Sequence, residues 1–161
     1  KELQEIVTLF LFTPTPFMQE DIKKFNVRVY GFLIKNQEVL IAEEIHDGEK
    51  IVKFPGGGLK FGEGTFDGLK REFREELDID IQINDLVYVN DFFKNSYFYP
   101  THQLICIYYT VALVNEAKLQ SAEGHIQFVW KNIKDIQPGY LSFPIDQAAL
   151  EELQKQIQKK L

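Results

Sequence analysis

Residues 57–79 read GGLKFGEGTFDGLKREFREELDI, and the fold and chemistry of the chain turn on this run. Gly57 stands six residues before Glu63, and Arg71, Glu72, Glu75 and Glu76 crowd into the segment that follows. Thr65 reads as the N-cap of a helix over 65–77, with Asp67 in the first turn, where the helix dipole favours negative charge. At about 100° per residue, Leu69, Phe73, Phe66 and Leu77 fall within about 80° of one another and form an apolar stripe that must face a core. Glu76, Glu72 and Glu75 form a row beside that stripe, at about −20°, −60° and −120° from Leu69, and Arg71 lies beyond them. Three like charges beside a core are unfavourable unless a cation joins them. A divalent metal would do so, and magnesium accepts carboxylate oxygens, water and substrate phosphates in one shell. Taken alone, the carboxylates also fit a solvated acidic helix with Arg71 or Arg74 paired to them.

Working outward from this run, Val27–Lys35 is rich in Val, Tyr, Phe and Ile and reads as a strand, Asn36-Gln37 as its turn, and Glu38–Glu43 as the returning strand. Asp47-Gly48 is a second hairpin signal, and Ile51–Phe54 a short strand ending in Pro55-Gly56-Gly57-Gly58. Downstream, Leu86–Val89, Leu104–Val114 and Phe128–Trp130 read as strands, with an aromatic loop over Phe92–Pro100 and a short helical piece through Ile136. Pro138-Gly139 is a turn. Ser142-Phe143-Pro144 then opens a tail in which Ile145, Ala148, Ala149, Leu153 and Ile157 keep helical periodicity.

Composition narrows the function classes. The 161 residues suit one domain with a sizeable core, and 45% hydrophobic with 26% charged is ordinary for a globular chain. A net charge of −6 argues against a non-specific nucleic-acid binder, which needs a basic face. It leaves a nucleotide substrate open, because metal ions bridge carboxylates to phosphate oxygens. The single Cys106, in the apolar run LICIYY, excludes an intramolecular disulfide and fits a reducing, cytoplasmic setting. The apolar run IVTLFLF near the N-terminus is too short to span a membrane and lacks the flanks of a signal peptide, so no membrane association is expected.

The opening run resembles the signature of the Nudix hydrolases: Gly, five residues, Glu, seven residues, Arg-Glu, an apolar residue, any residue, Glu-Glu, any residue, Gly, an apolar residue. Gly57, Glu63, Arg71, Glu72, Phe73, Glu75, Glu76 and Ile79 match in register, and Asp78 stands where the family has Gly. A chance match at these positions is on the order of one in a million at ordinary residue frequencies. The family's Gly would serve a left-handed helix end, which Asp tolerates better than most residues. The strand–turn–strand before the run resembles the family's opening, and Glu123–Trp130 with KNIKDI resembles its later acidic loop, Trp strand and short helix. Residues 1–24 match no part of the pattern. They read as an N-terminal extension, with Ile6–Phe12 a candidate added strand or homodimer contact, ahead of a single domain over 25–161.

The resemblance implies an α/β (α+β) fold of the Nudix type. This is an α/β/α sandwich with a central mixed β-sheet, the 65–77 helix on one side and the C-terminal helix on the other. It implies Mg2+-dependent hydrolysis, with Mn2+ as an alternative ion, of a pyrophosphate linkage by metal-activated water. The substrate would be a nucleoside diphosphate-linked compound: a nucleotide, a nucleotide sugar or a dinucleoside polyphosphate. By the same resemblance Glu75 and Glu76 correspond to metal ligands, and Glu72 to a ligand or a water-activating base. Arg71 would orient the carboxylates, Glu63 would be a supporting or outer metal contact, and Gly57 and Gly58 would form the tight loop bordering the cofactor. The signature leaves the general base open. Glu123 is the candidate in a later loop, Glu116 its competitor, and nearby His125 reads as solvated. A non-catalytic, nucleotide-binding sensor is the alternative function. Lys94 and Asn95 stand where relatives selective for ADP-ribose tend to carry Pro, and Tyr97 near where dinucleoside-polyphosphate relatives carry Tyr. Phe92, Phe93, Tyr97, Phe98 and Tyr99 either stack a base or pack a loop, and Trp130 reads as core.

Overall fold

The computed structural model describes residues 21–115, 119 and 121–159. The Ile6–Phe12 segment and Glu116 lie outside them. In chain order the elements are strands β1 (Lys24–Lys35), β2 (Glu38–His46), β3 (Glu49–Lys53) and β4 (Gly56–Gly58), helix α1 (Thr65–Leu77), strands β5 (Ile81–Val89), β6 (His102–Leu113) and β7 (Ile126–Asn132), and helix α2 (Pro144–Lys159). The sheet is mixed. β1 runs parallel to β6 over ten registered pairs, from Lys24–His102 to Leu33–Val111. It pairs antiparallel with β4 and, at its end, with β2, while β5 lies antiparallel outside β6 and β3 and β7 flank β2. Both early hairpins turn through two residues of positive φ, Asn36-Gln37 and Asp47-Gly48, the geometry that matches strand twist.

Strand alternation divides the core between two faces. Val29 and Leu33 of β1 join Leu69, Phe73 and Leu77 of α1, whereas Tyr30 and Phe32 join Ile145, Ala149, Leu150 and Leu153 of α2. The two helices therefore cover opposite faces of one sheet, as the resemblance implies. Cys106 is buried on the α2 face, and burial pushes its thiol up to about 12, so it is an inert core group.

Several local expectations need correction. Thr65 is not the cap: Gly64 occupies that position without a side-chain bond, and the Thr65 hydroxyl pairs instead with the Tyr109 hydroxyl at 3.0 Å. Phe66 is 46% exposed rather than core, because α1 meets the sheet on the Leu69–Phe73–Leu77 line and leaves Phe66 edge-on to Tyr109. The stretch after Asn132 turns without forming a helix; Ile133 and Ile136 tuck into the α2-side core as isolated anchors. β5 begins at Ile81, five residues earlier than the apolar run suggests, since its outer positions face solvent and blur the pattern. No helix among the described residues is long and apolar enough to cross a membrane.

Candidate active site

The glycine run is held against β1 by backbone bonds at both ends: Gly31 N–H donates to Pro55 O at 3.0 Å, and Leu59 N–H donates to Val27 O at 2.8 Å. Gly57 lies where a Cβ would stand 2.5 Å from a Glu72 carboxylate oxygen, so only glycine admits Glu72 at this distance. At the far end of α1, Asp78 takes the left-handed conformation (φ 54°, ψ 41°), and its N–H donates to Arg74 O at 3.0 Å. The departure from the family pattern at this position thus keeps the helix-ending geometry.

Arg71 gathers the acids. Its Nε and Nη2 donate to the two Glu63 oxygens at 2.5 and 2.9 Å, and its Nη1 donates to Glu72 at 2.7 Å and to Glu75 at 2.8 Å. Nη2 also donates to Gly58 O at 2.9 Å, tying the fork to the glycine strand. Glu63 accepts a further bond from Lys60 N–H, and these bonds hold its carboxyl down at about 2. Glu75 is lowered too, the bonds from Lys60 and Arg71 outweighing its burial.

Glu76 differs from its neighbours. It is 5% exposed and accepts a single backbone bond, from Gly56 N–H at 3.1 Å. Burial pushes its carboxyl up to about 8, only partly offset by Lys53 and Gly56, while the negative charges of Glu72 and Glu123 push the same way. Glu123 is brought within electrostatic reach of Glu76 by its loop, which is pinned to the helix end through the Ala122 N–H bond to Glu76 O at 2.9 Å. The Glu123 side chain itself is partly exposed, with His125 Nε2 at 3.5 Å.

In this arrangement the described residues contain no group of three or more His, Cys, Asp or Glu side chains set to hold a metal ion. The reason is visible: Glu63, Glu72 and Glu75 all turn onto Arg71, and Glu76 turns onto Gly56. The donor set is nonetheless all carboxylate oxygen, which suits a hard divalent cation. An acid raised by burial, with neighbouring negative charge adding to it, is likewise a position that positive charge would relieve.

A cleft lies on the α2 face of the sheet, and two cations that line it act electrostatically on the row, Arg28 on Glu72 and Lys53 on Glu76. Arg28, on β1 opposite Gly58, donates from Nε to the Tyr30 hydroxyl at 2.6 Å, and Lys53 pairs with Glu44 at 3.3 Å. Both cations line two adjoining cavities, of about 340 and 700 Å3. Tyr97 and Phe98 of the aromatic loop face both cavities, whereas Phe92 and Phe93 line neither and are partly exposed. Tyr99 borders only the larger, and Trp130 packs beside the α1-side core. Asp146 of α2 lines the smaller cavity. Arg28, Lys53 and Asp146 belong to no motif. Their signals are a cation within an apolar strand, a cation just before the glycine run and an acid in the first turn of an amphipathic helix.

Comparison with known proteins agrees with this architecture. The family model for the NUDIX domain matches residues 24–154. Among solved structures, a NUDIX hydrolase from Nitrosomonas europaea superposes with a TM-score of 0.70 at 19% identity, covering 83% of this chain and 90% of the other. A MutT NUDIX hydrolase from Burkholderia pseudomallei gives 0.67 at 19% identity, over 81% and 99%. An ADP-ribose pyrophosphatase from Streptococcus suis gives 0.57 at 17% identity, over 81% and 92%. No curated protein matches the sequence. With the glycine strand, the carboxylate helix and the sandwich in place, and the domain match spanning most of its length, the chain belongs to the Nudix hydrolases, a family of pyrophosphate-cleaving enzymes.

Proposed function

We propose that the protein hydrolyses a pyrophosphate linkage in a nucleoside diphosphate-linked compound, using Mg2+ or, in its place, Mn2+. The observation that carries this reading is the gathering of Glu63, Glu72 and Glu75 around Arg71, with buried Glu76 on the next turn and Gly57 cleared for Glu72. Glu72, Glu75 and Glu76 would hold the metal, which when bound polarises phosphate oxygens and acidifies an attacking water. Arg71 and Glu63 keep the row aligned, since the guanidinium fork fixes three carboxylates and the Gly58 carbonyl at once. Gly57 and Gly58 border the substrate's phosphates, where the absence of side chains lets a ligand approach the backbone. Arg28 and Lys53 line the cleft and act electrostatically on Glu72 and Glu76, so the phosphates would lie beside them. Glu123 is the candidate to take the proton of the attacking water, its loop being held against the end of α1. The water would displace a phosphate leaving group in line, with no covalent bond to the protein. Residues 25–161 would form the catalytic domain, residues 1–24 an extension to it, and the cytoplasm its setting.

The test is a screen of nucleoside diphosphate-linked compounds with Mg2+, read by release of phosphate or nucleoside monophosphate. Turnover that EDTA abolishes and Mg2+ restores is expected. A folded protein that turns over no member of a broad panel would defeat the reading.

A further inference from the structure

The carboxylate row has two ends. Along β4 its contacts run in chain order: Gly56 N–H meets Glu76, Gly57 faces Glu72, and the Gly58 carbonyl takes Arg71. Before β4 stands Lys53, which lines the cleft on the α2 face. After it stands Lys60, whose Nζ donates to Glu75 at 3.2 Å. A third cavity, of about 340 Å3, opens at this second end, and Phe25, Leu59, Lys60, Phe61, Tyr99 and His102 line it. Its volume lies within the range of ligand clefts.

The aromatic rings of this cavity are displayed rather than packed. Phe61 is fully exposed, Phe25 is 68% exposed and Tyr99 58%. Single exposed rings are ordinary, but several gathered around one hollow mark a binding surface. Phe61 is also held in place. Lys60 N–H donates to Glu63 Oε2 at 2.9 Å, Glu63 N–H donates to Lys60 O at 3.2 Å, and Gly62 takes φ 86°, so the turn presents the ring at its tip. A ring fixed beforehand loses little freedom on binding. Charge narrows the occupant. The larger cavity of the α2 cleft carries Glu44, Asp47 and Glu49 beside its two cations. No carboxylate among the described residues lines the third cavity, and Lys60 stands on its wall, reaching back to the row. A flat ring with phosphate behind it fits both features. Because the α2 cleft lies at the other end, a ligand with a group on each side of its phosphates uses the row more fully than one that stops there. We propose that this cavity is a second subsite: it stacks the nucleobase at the far end of a dinucleoside polyphosphate against Phe61, with the phosphates running back past Lys60 to the row. Cleavage at the row rests on the hydrolase reading above; the stacking site does not.

Phe61 makes the inference testable, since a ring this exposed can be removed without touching the core. Two ligands with equal numbers of phosphates are compared by calorimetry in Mg2+: diadenosine triphosphate and adenosine triphosphate, both with methylene bridges that resist hydrolysis. Stacking tolerates any base, so adenine is a fair probe. Wild type should bind the two-ended compound about tenfold tighter, although the one-ended compound carries more charge. Phe61→Ala should lose that preference, Phe61→Tyr should keep it, and affinity for the one-ended compound should stay within about threefold in both. In Phe61→Trp, read above the Trp130 background, the two-ended compound should quench indole emission and the one-ended compound should not. Binding of neither compound, equal affinity of wild type for the two, an unchanged preference in Phe61→Ala, or unmoved emission would each overturn the proposal. Hydrolysis is scored separately. Turnover of pyrophosphate compounds with no dependence on Phe61 defeats the subsite alone. Phe61-dependent binding without turnover of any such compound defeats the hydrolase reading alone.

Discussion

The two faces of the sheet solve the same electrostatic problem in opposite ways. On the α1 face the acids are crowded but satisfied, three of them fastened to one guanidinium. On the α2 face a single acid, Asp146, is isolated among aromatic rings with one oxygen unmet. The satisfied row is fixed by one guanidinium, and on the reading proposed above a metal would draw Glu72 and Glu75 off Arg71. The unmet acceptor is a cost of burial that the fold carries.

The sharpest way to break this contrast is at the row. Glu75→Gln removes one charge from the row and from Arg71, and the Mg2+-supported turnover number should fall on the order of 10²–10⁴-fold while the melting curve stays cooperative. Near-normal turnover would remove the α1 face from the chemistry. Next comes Gly57→Ala. Its Cβ would stand 2.5 Å from the Glu72 carboxylate, so either that carboxylate or the strand must move. A displacement of this kind is expected to reduce turnover on the order of 10²-fold. It should also lower stability by about 1–3 kcal/mol, read by urea titration.

Two acids, Glu63 on the α1 face and Asp146 on the α2 face, should respond to pH with opposite signs. Glu63 is lowered in the folded state, from an ordinary 4.5 to about 2, so its contribution is present above pH 4.5 and disappears as pH falls toward 2. Asp146 is raised, from an ordinary 3.8 to about 7, so between those values the folded state binds more protons than the unfolded one. Stability then falls as pH rises through this window. Wild type should therefore lose a few °C of melting temperature between pH 4 and 7 relative to Asp146→Asn. Parallel melting curves for the two proteins across that range would show that Asp146 carries no such burden. The smallest effect is expected from Phe66→Ala, which removes the edge contact with Tyr109 from a half-exposed ring and should cost about 1 kcal/mol.

The same contrast explains what could be read before the structure. The row lies within one short run, and the helical period and the register with Gly57 place every acid. The left-handed end at Asp78 follows from turn chemistry. Thr65 and Phe66 mislead because a propensity for capping and a place on an apolar stripe are local properties. The angle at which α1 meets the sheet decides both, and it gives Tyr109 as a partner to each. The cleft is harder still. Arg28 comes from β1, Lys53 from β3, Phe98 from a loop and Asp146 from α2, and only the strand order and the seating of α2 bring them together. Ser142 helps seat α2, exchanging two 2.8 Å bonds with Val52, a contact with no sequence signature.

The parallel pairing of β1 with β6 sets the order in which these parts can appear. Its partners are separated by most of the domain, so closing that loop is a slow, non-local event. The glycine strand hangs on one edge of β1 and β6 on the other, and both α1 and α2 pack on residues of β1. A chain still emerging from the ribosome therefore carries the complete carboxylate signature long before it has a β6 to steady the strand beneath it. On the function proposed above, catalytic competence would arrive with the last third of the polypeptide, although of the proposed machinery only Glu123 is encoded there.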